Sequence, residues 1–221
     1  MSFNRLALFD CDGTLVDSQA NICLAMEHCF EKSRLVPPSR QEIRRIVGLS
    51  VREAVEALLP EGDAALHDVL AEDYKRAFHA LRGKGLIDEP LFDGILETMA
   101  RLDEAGWLLG VATGKSDRGL ALCLEHHGIT RRFVTLQTAD RHPSKPHPAM
   151  VETAMAEAGA APETTIMIGD TSFDMLMGRA ADAHALGVSW GYHDIIDLTA
   201  AGAHRVVHDP RDIAGYAEDF A

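Results

Sequence analysis

Cysteine is scarce in this chain, and none of Cys11, Cys23, Cys29 and Cys123 forms a C-x-x-C pair or shows zinc-ligand spacing. They read as reduced, buried thiols of a cytoplasmic protein. H-E-x-x-H is missing from the eleven histidines, and His126-His127 and the others read as surface or helix-end residues. No apolar run is long enough to span a bilayer. The start of the chain has no basic stretch followed by a long apolar segment, so no signal peptide is expected. Positive charge is also short. Lys and Arg number 21 against 34 Asp and Glu, a formal net charge of −13. An acidic chain repels nucleic-acid backbones and anionic membrane surfaces, which removes both as expected partners. Internal repeats and low-complexity tracts are absent as well.

What is present is a sizeable apolar fraction, 47% of 221 residues, enough for one large domain or a core with a smaller domain attached. Short apolar runs at Leu6–Phe9, Leu108–Ala112, Phe133–Leu136, Thr165–Ile168, Ala185–Val188 and Arg205–Val207 predict buried strands. Amphipathic segments at Leu91–Ala105, Arg118–His127, Pro148–Ala158 and Phe173–Ala181 predict helices between them. This alternation predicts an α/β fold with a doubly wound parallel sheet, its ligand site at the carboxyl ends of the strands. One interval departs from it. Ile22–Phe30, Gln41–Val47, Val51–Leu59 and Ala64–Leu81 all have helical patterns, punctuated by Pro37-Pro38 and Gly48-Leu49-Ser50. The expected organisation is therefore a core of residues 1–17 and 86–221 and a small all-helical domain of residues 18–85, inserted after the first strand as a lid. Gly83–Pro90 reads as the linker back.

Four polar clusters follow predicted strands: Asp10-Cys11-Asp12-Gly13-Thr14, Thr113-Gly114-Lys115, Ser144-Lys145-Pro146, and Gly169-Asp170-Thr171-Ser172-Phe173-Asp174. Taken singly, each has a plain structural reading, because Asp at a strand end is a common turn former and Asp174 suits a helix's first turn. Together they converge at one edge of a parallel sheet. Asp10, Asp12 and Asp170 make a hard-oxygen site of the kind Mg²⁺ takes together with a substrate phosphate. A metal there offsets the repulsion of two carboxylates two residues apart. Thr113 and Gly114, just before a helix, can cradle a phosphate, and Lys145 supplies a point charge. Cys11, Met167, Met175 and Met177 read as core filler.

These four clusters, in this order, resemble the four motifs of the haloacid dehalogenase superfamily, and the helical insertion resembles its small helical cap. The similarity runs along essentially the whole chain and is nearest to the phosphoglycolate phosphatase-like branch. It implies a phosphoric monoester hydrolase acting on a small phosphoester, as a monomer or homodimer. Asp10 would be the nucleophile that forms an aspartyl-phosphate, and Asp12 the acid that protonates the leaving alcohol and then deprotonates water. Asp10, the Asp12 carbonyl and Asp170 would hold Mg²⁺, with Asp174 supporting the metal's water shell or Lys145. Family members often carry Asn where Gly114 stands, so one side-chain contact is missing here. In the cap, Gly48-Leu49-Ser50-Val51-Arg52 resembles the family's specificity loop. Gly48, Arg52, Arg45, Asn21 and Lys115 are candidates for substrate contact, the two arginines toward a carboxylate or second phosphate.

Two other readings remain. Sugar phosphomutases of the beta-phosphoglucomutase kind share the motifs, but they carry a cap His twelve residues after the nucleophile, where this chain has Ile22. A phospho-acceptor switch also groups acids, a Thr and a Lys around Mg²⁺, but it lacks both the insertion and a counterpart of Asp12. Phosphoglycolate, pyrophosphate, a nucleotide and a sugar phosphate all stay open as substrates.

Overall fold

A computed structural model describes residues 3–83 and 88–220. Its centre is β1 (Asn4–Phe9), flanked by β2 (Trp107–Thr113) and β4 (Ala160–Gly169). With β3 (Phe133–Thr138), β5 (His184–Val188) and β6 (Arg205–Val207) they form one parallel sheet of order β3-β2-β1-β4-β5-β6. The strand order reverses between β1 and β4, the switch point where such sheets bind ligands.

Side chains alternate across β1. Leu6 and Leu8 pack with Met150, Val151, Met167 and Met177, whereas Ala7 and Phe9 join Ile95, Met99, Leu120 and Ile213 on the other face. Burial on both faces explains why this strand reads as an unbroken apolar run. The first cluster gathers α5 (Ile95–Glu104), α6 (Asp117–His126) and α10 (Asp212–Asp219). The second gathers α7 (Ala149–Ala158) and α8 (Ser172–Ala180). This is the doubly wound α/β architecture that the alternating pattern predicts.

The interval after β1 holds four helices: α1 (Gln19–Lys32), α2 (Arg40–Ile46), α3 (Val51–Leu58) and α4 (Ala64–Gly83). They enclose an apolar cluster of their own, which includes Met26, Phe30, Ile43, Val55 and Leu70. Ser39 starts α2 in a reciprocal capping box with Glu42, and Ser50 accepts from the Glu53 amide at the start of α3. Tyr192, from the loop after β5, enters this cluster from the core side.

The chain leaves and re-enters the core on adjacent paths. Asp17 N donates to the Pro90 carbonyl (2.9 Å), and Phe92 N donates to Leu15 (3.0 Å). That pairing explains why the helix expected from Leu91 begins only at Ile95: Leu91 bridges Val16, and Gly94 caps the helix at φ +90°. The boundary expected between residues 85 and 86 lies outside the described residues. Two helices without a sequence expectation are α9 (Ile195–Ala200) and α10, both too short to show a full period. Among the described residues, no helix is long and apolar enough to cross a membrane.

Candidate active site

The loop after β1 is built around Asp170. Gly13 takes φ +85°, and a Cβ there would run into the Asp170 carboxylate, so both conformation and space demand glycine. Thr14 Oγ1 donates to Asp170 Oδ1 (2.8 Å), and the Tyr192 amide donates to Oδ2 (2.9 Å). Asp170 is thus fixed at the end of β4, beside Asp10 at the end of β1.

Asp10, Asp170 and Asp174 bring carboxylate oxygens within 4.8 Å of one another, all fully buried. Lys145 is buried among them, 2.8 Å from Asp10 Oδ1 and 2.6 Å from Asp174 Oδ1. The Cys11 amide also donates to Asp10 Oδ1 (2.6 Å). Asp174 uses its other oxygen at the start of α8, accepting from the Thr171 hydroxyl (2.7 Å) and amide (3.0 Å). It is therefore both a helix cap and the second anchor of Lys145. Gly169 makes room for it, since a Cβ there would collide with the Asp174 carboxyl.

Three carboxylates against one ammonium leave a formal −2 in a buried site. Burial pushes the Asp10 carboxyl up to about 7, while Lys145 pulls the other way. Burial, then the Asp10 and Asp174 charges, push Asp170 well above its ordinary value. Burial opposes the Lys145 charge, but Asp10 and Asp174 outweigh it and raise its pKa. One atom is left over: Asp10 Oδ2 is buried without a hydrogen-bond partner among the described residues. An orphaned carboxylate oxygen beside two more carboxylates, with an excess of two negative charges, fits a divalent hard cation.

Asp12 belongs to a different group. Its Oδ1 receives the Ser18 hydroxyl and stands 2.8 Å from Lys115 Nζ. Lys115 continues to Glu89 Oε1 (2.8 Å), and Glu89 pairs with Arg82 at the end of α4. Burial works against the Lys115 charge, but Asp12 and Glu89 outweigh it and hold its pKa well above the ordinary value. The candidate substrate contact Lys115 is thus committed to protein carboxylates.

A cavity of about 330 Å³ lies between the acids and the helical insertion. Asp10, Asp12, Thr113, Gly114 and Lys115 line it from the core, and Gly48 and Arg52 line it from the insertion. The loop at residues 48–50 is seated on three of the four motifs. Ser50 N donates to Ser144 Oγ (2.8 Å), Gly48 lies against Thr171, and a Cβ on Gly114 would stand 2.5 Å from the Leu49 carbonyl oxygen. Glycine at position 114 thus leaves the room that the cap loop occupies.

Two candidates stand elsewhere. Asn21 is buried, and its amide donates to the Asp88 carbonyl (2.5 Å), tying α1 to the return segment. Arg45 lines a separate depression with Arg44, Phe173 and His193. Arg52 reaches the cavity, but it is paired with Glu56 (2.6 Å) and Asp68 (2.9 Å). Four contributors had no assigned role in the sequence. Thr14 and Ser18 could be found from their places inside and just after the first motif. Glu89 sits in a segment that reads as linker, and Tyr192 follows β5 without any motif.

A doubly wound sheet with a buried acid cluster at its switch point, roofed by an inserted helical layer, defines an α/β site whose donors fit a hard cation. The chain belongs to the haloacid dehalogenase-like hydrolase family, whose profile matches residues 7–188. Among curated relatives, "Probable phosphatase IndB" of Dickeya dadantii is 34% identical over 218 residues, covering 96% of this chain and 93% of that one. A phosphoglycolate phosphatase of Agrobacterium fabrum is 31% identical over 198 residues, covering 86% and 82%. Among solved structures, a predicted phosphatase from Clostridium acetobutylicum superposes with TM-score 0.88 at 23% identity, over 99% of this chain and all of that one.

Proposed function

We propose that this protein is a Mg²⁺-dependent phosphatase that hydrolyses a small phosphomonoester through an aspartyl-phosphate on Asp10. The observation that carries this reading is the partnerless, buried Asp10 Oδ2 inside a carboxylate cluster with two excess negative charges. Asp10, Asp170 and the Asp12 backbone carbonyl would hold the metal, with Asp174 behind them. When bound, Mg²⁺ offsets the carboxylates and draws charge from the phosphoryl oxygens.

The chain's own groups then divide the work. Lys145 and the Cys11 amide hold one oxygen of Asp10, so that its carboxylate faces phosphorus in one orientation. Thr113, Gly114 and Lys145 receive the phosphoryl oxygens. An Asp10 oxygen forms a bond to phosphorus as the ester P–O bond breaks, and Asp12 gives its proton to the leaving alcohol. Ser18 and Lys115 both hold Asp12 Oδ1, so Oδ2 is the oxygen left to exchange a proton with the leaving alcohol and the water. Water then attacks phosphorus, Asp12 takes its proton, and Asp10 is released with inorganic phosphate. The hydrolytic outcome is favoured over phosphoryl transfer between sugar positions by Ile22, which lines the cavity and has no acid–base group.

A panel of phosphomonoesters, assayed for phosphate release with Mg²⁺ and with EDTA, tests the proposal. Release that requires the metal is expected. A complete lack of release with every divalent metal tried would overturn it.

A further inference from the structure

We propose that the alcohol portion of the substrate is uncharged, apolar and about the size of a ring, and that it seats against Tyr74 and Phe78 beneath the helical insertion. This rests on the phosphatase reading above and gives that same site a substrate class. The cavity, about 330 Å³, is at the small end of ligand sites. Above the acids it is lined by Ile22, Met26, Val47, Val51, Tyr74 and Phe78. Tyr74 and Phe78 stand one turn apart on α4 with ring centroids 6.0 Å apart. Lys115 Nζ, which holds Asp12, lies 5.5 Å from the Phe78 centroid. The aromatic wall therefore begins beside the proton donor, where the leaving alcohol must be.

Charge argues the same way. The basic residues lining the cavity, among the described residues, are Arg52, Lys75, His79 and Lys115. Lys115 is shared by Asp12 and Glu89, Arg52 by Glu56 and Asp68, and Lys75 pairs with Glu72. Burial, Arg118 and Arg82 lower the His79 pKa, which favours its neutral form. A substrate carboxylate or second phosphate would enter beside Asp12 and Asp140 with no uncommitted cation to meet it. Such a group loses its water, and the cations it passes are already paired with protein carboxylates. An apolar ring meets aromatic and aliphatic walls instead.

The test compares kcat/KM of the Mg²⁺-loaded enzyme for benzyl phosphate, 2-phosphoglycolate and inorganic pyrophosphate. Benzyl phosphate and 2-phosphoglycolate both release a primary alcohol, so the contrast reads the pocket. Benzyl phosphate is expected to lead both anionic substrates at least tenfold, and Phe78→Arg is expected to shrink that lead at least tenfold. Equal rates, or a lead for either anionic substrate, would overturn this inference while leaving the phosphatase reading intact. Binding of benzylphosphonate and phosphonoacetate to the Asp10→Asn protein, measured by calorimetry, supplies a readout without turnover. Benzylphosphonate should bind at least tenfold tighter, and parity would sink the inference even if no ester is cleaved.

Discussion

Lys145 lies between Asp10 and Asp174 on the floor of the site, and Lys115 lies between Asp12 and Glu89 under its roof. Both ammonium groups are buried, and each bridges two acids, yet their surroundings differ in total charge. On the floor, Asp170 adds a third carboxylate, leaving −2. Under the roof, Arg82 adds a second cation through Glu89, and the formal sum is zero. An unbalanced floor suits a divalent cation, the place the proposed function gives to Mg²⁺. A balanced roof calls for nothing, and so suits a leaving group without charge. On the proposed function, the excess charge marks where the chemistry would be, and its absence where the substrate would be chosen.

The largest effect should come from breaking the floor at its reacting atom. Asp10→Asn keeps shape and removes the charge, so phosphate release should fall about a thousandfold or more, with far-ultraviolet circular dichroism unchanged. Phosphate release near wild type would take the nucleophile's role away from Asp10.

Removing each lysine's charge compares the two regions directly. Lys145→Met leaves three buried carboxylates without a cation, at a cost of roughly 3–5 kcal/mol in urea unfolding with EDTA present. Lys115→Met should cost less, about 1–3 kcal/mol, because Glu89 keeps Arg82 and Ser18 still donates to Asp12. The reverse order would mean that the charge difference between floor and roof has been misjudged.

Mg²⁺ should stabilise the floor by mass action, about 2.7 kcal/mol at a hundred times its dissociation constant. Asp170→Asn should abolish that increment, whereas Lys115→Met should retain it. Thermal unfolding with and without the metal reads both. A smaller effect is expected where the roof meets the floor. Gly114→Asn places a Cβ 2.5 Å from the Leu49 carbonyl oxygen and 2.7 Å from that of Gly48. The cap loop must then lift, and kcat/KM should fall about tenfold, or 1.4 kcal/mol, with the melting temperature held. An unchanged kcat/KM would show that the seated loop is not the working position.

The floor was legible in the sequence because its residues are local to strand ends. Asp10, Thr113 and Asp170 each follow or end an apolar run that reads as a strand, and a parallel sheet brings such ends together whatever the loops between them. Lys145 was legible for a weaker reason, its place just before a helix. The roof's residues were partly legible (Asp12, Gly48, Arg52 and Lys115), but its pairings were not, because they join distant segments without periodicity. Lys115 meets Glu89 26 positions away, and Tyr192 reaches Ser18 across 174. Arg45 and Asn21 showed the limit from the other side. A basic or amide side chain on an amphipathic helix has no fixed direction until the helix's rotation is known, and here both point away from the cavity. The short helices α9 and α10 went unread because six and eight residues hold about two turns of pattern.

Arg52 offers the finest test of the comparison, and the smallest expected effect. It is the one arginine lining the cavity among the described residues, and the sequence made it a candidate to meet a carboxylate or second phosphate. In the structure its guanidinium bridges Glu56 and Asp68, with 43% of its own side chain exposed. Exposed pairs of this kind contribute about 0–1 kcal/mol, so Arg52→Ala should shift stability by less than about 1 kcal/mol. If the roof is neutral toward substrate, kcat/KM for both benzyl phosphate and 2-phosphoglycolate should stay within about twofold of wild type, a difference under about 0.5 kcal/mol. A selective loss on 2-phosphoglycolate alone would show that Arg52 leaves its partners to meet a substrate anion. The roof would then have to be counted as positive, and the distinction between the two regions would fall.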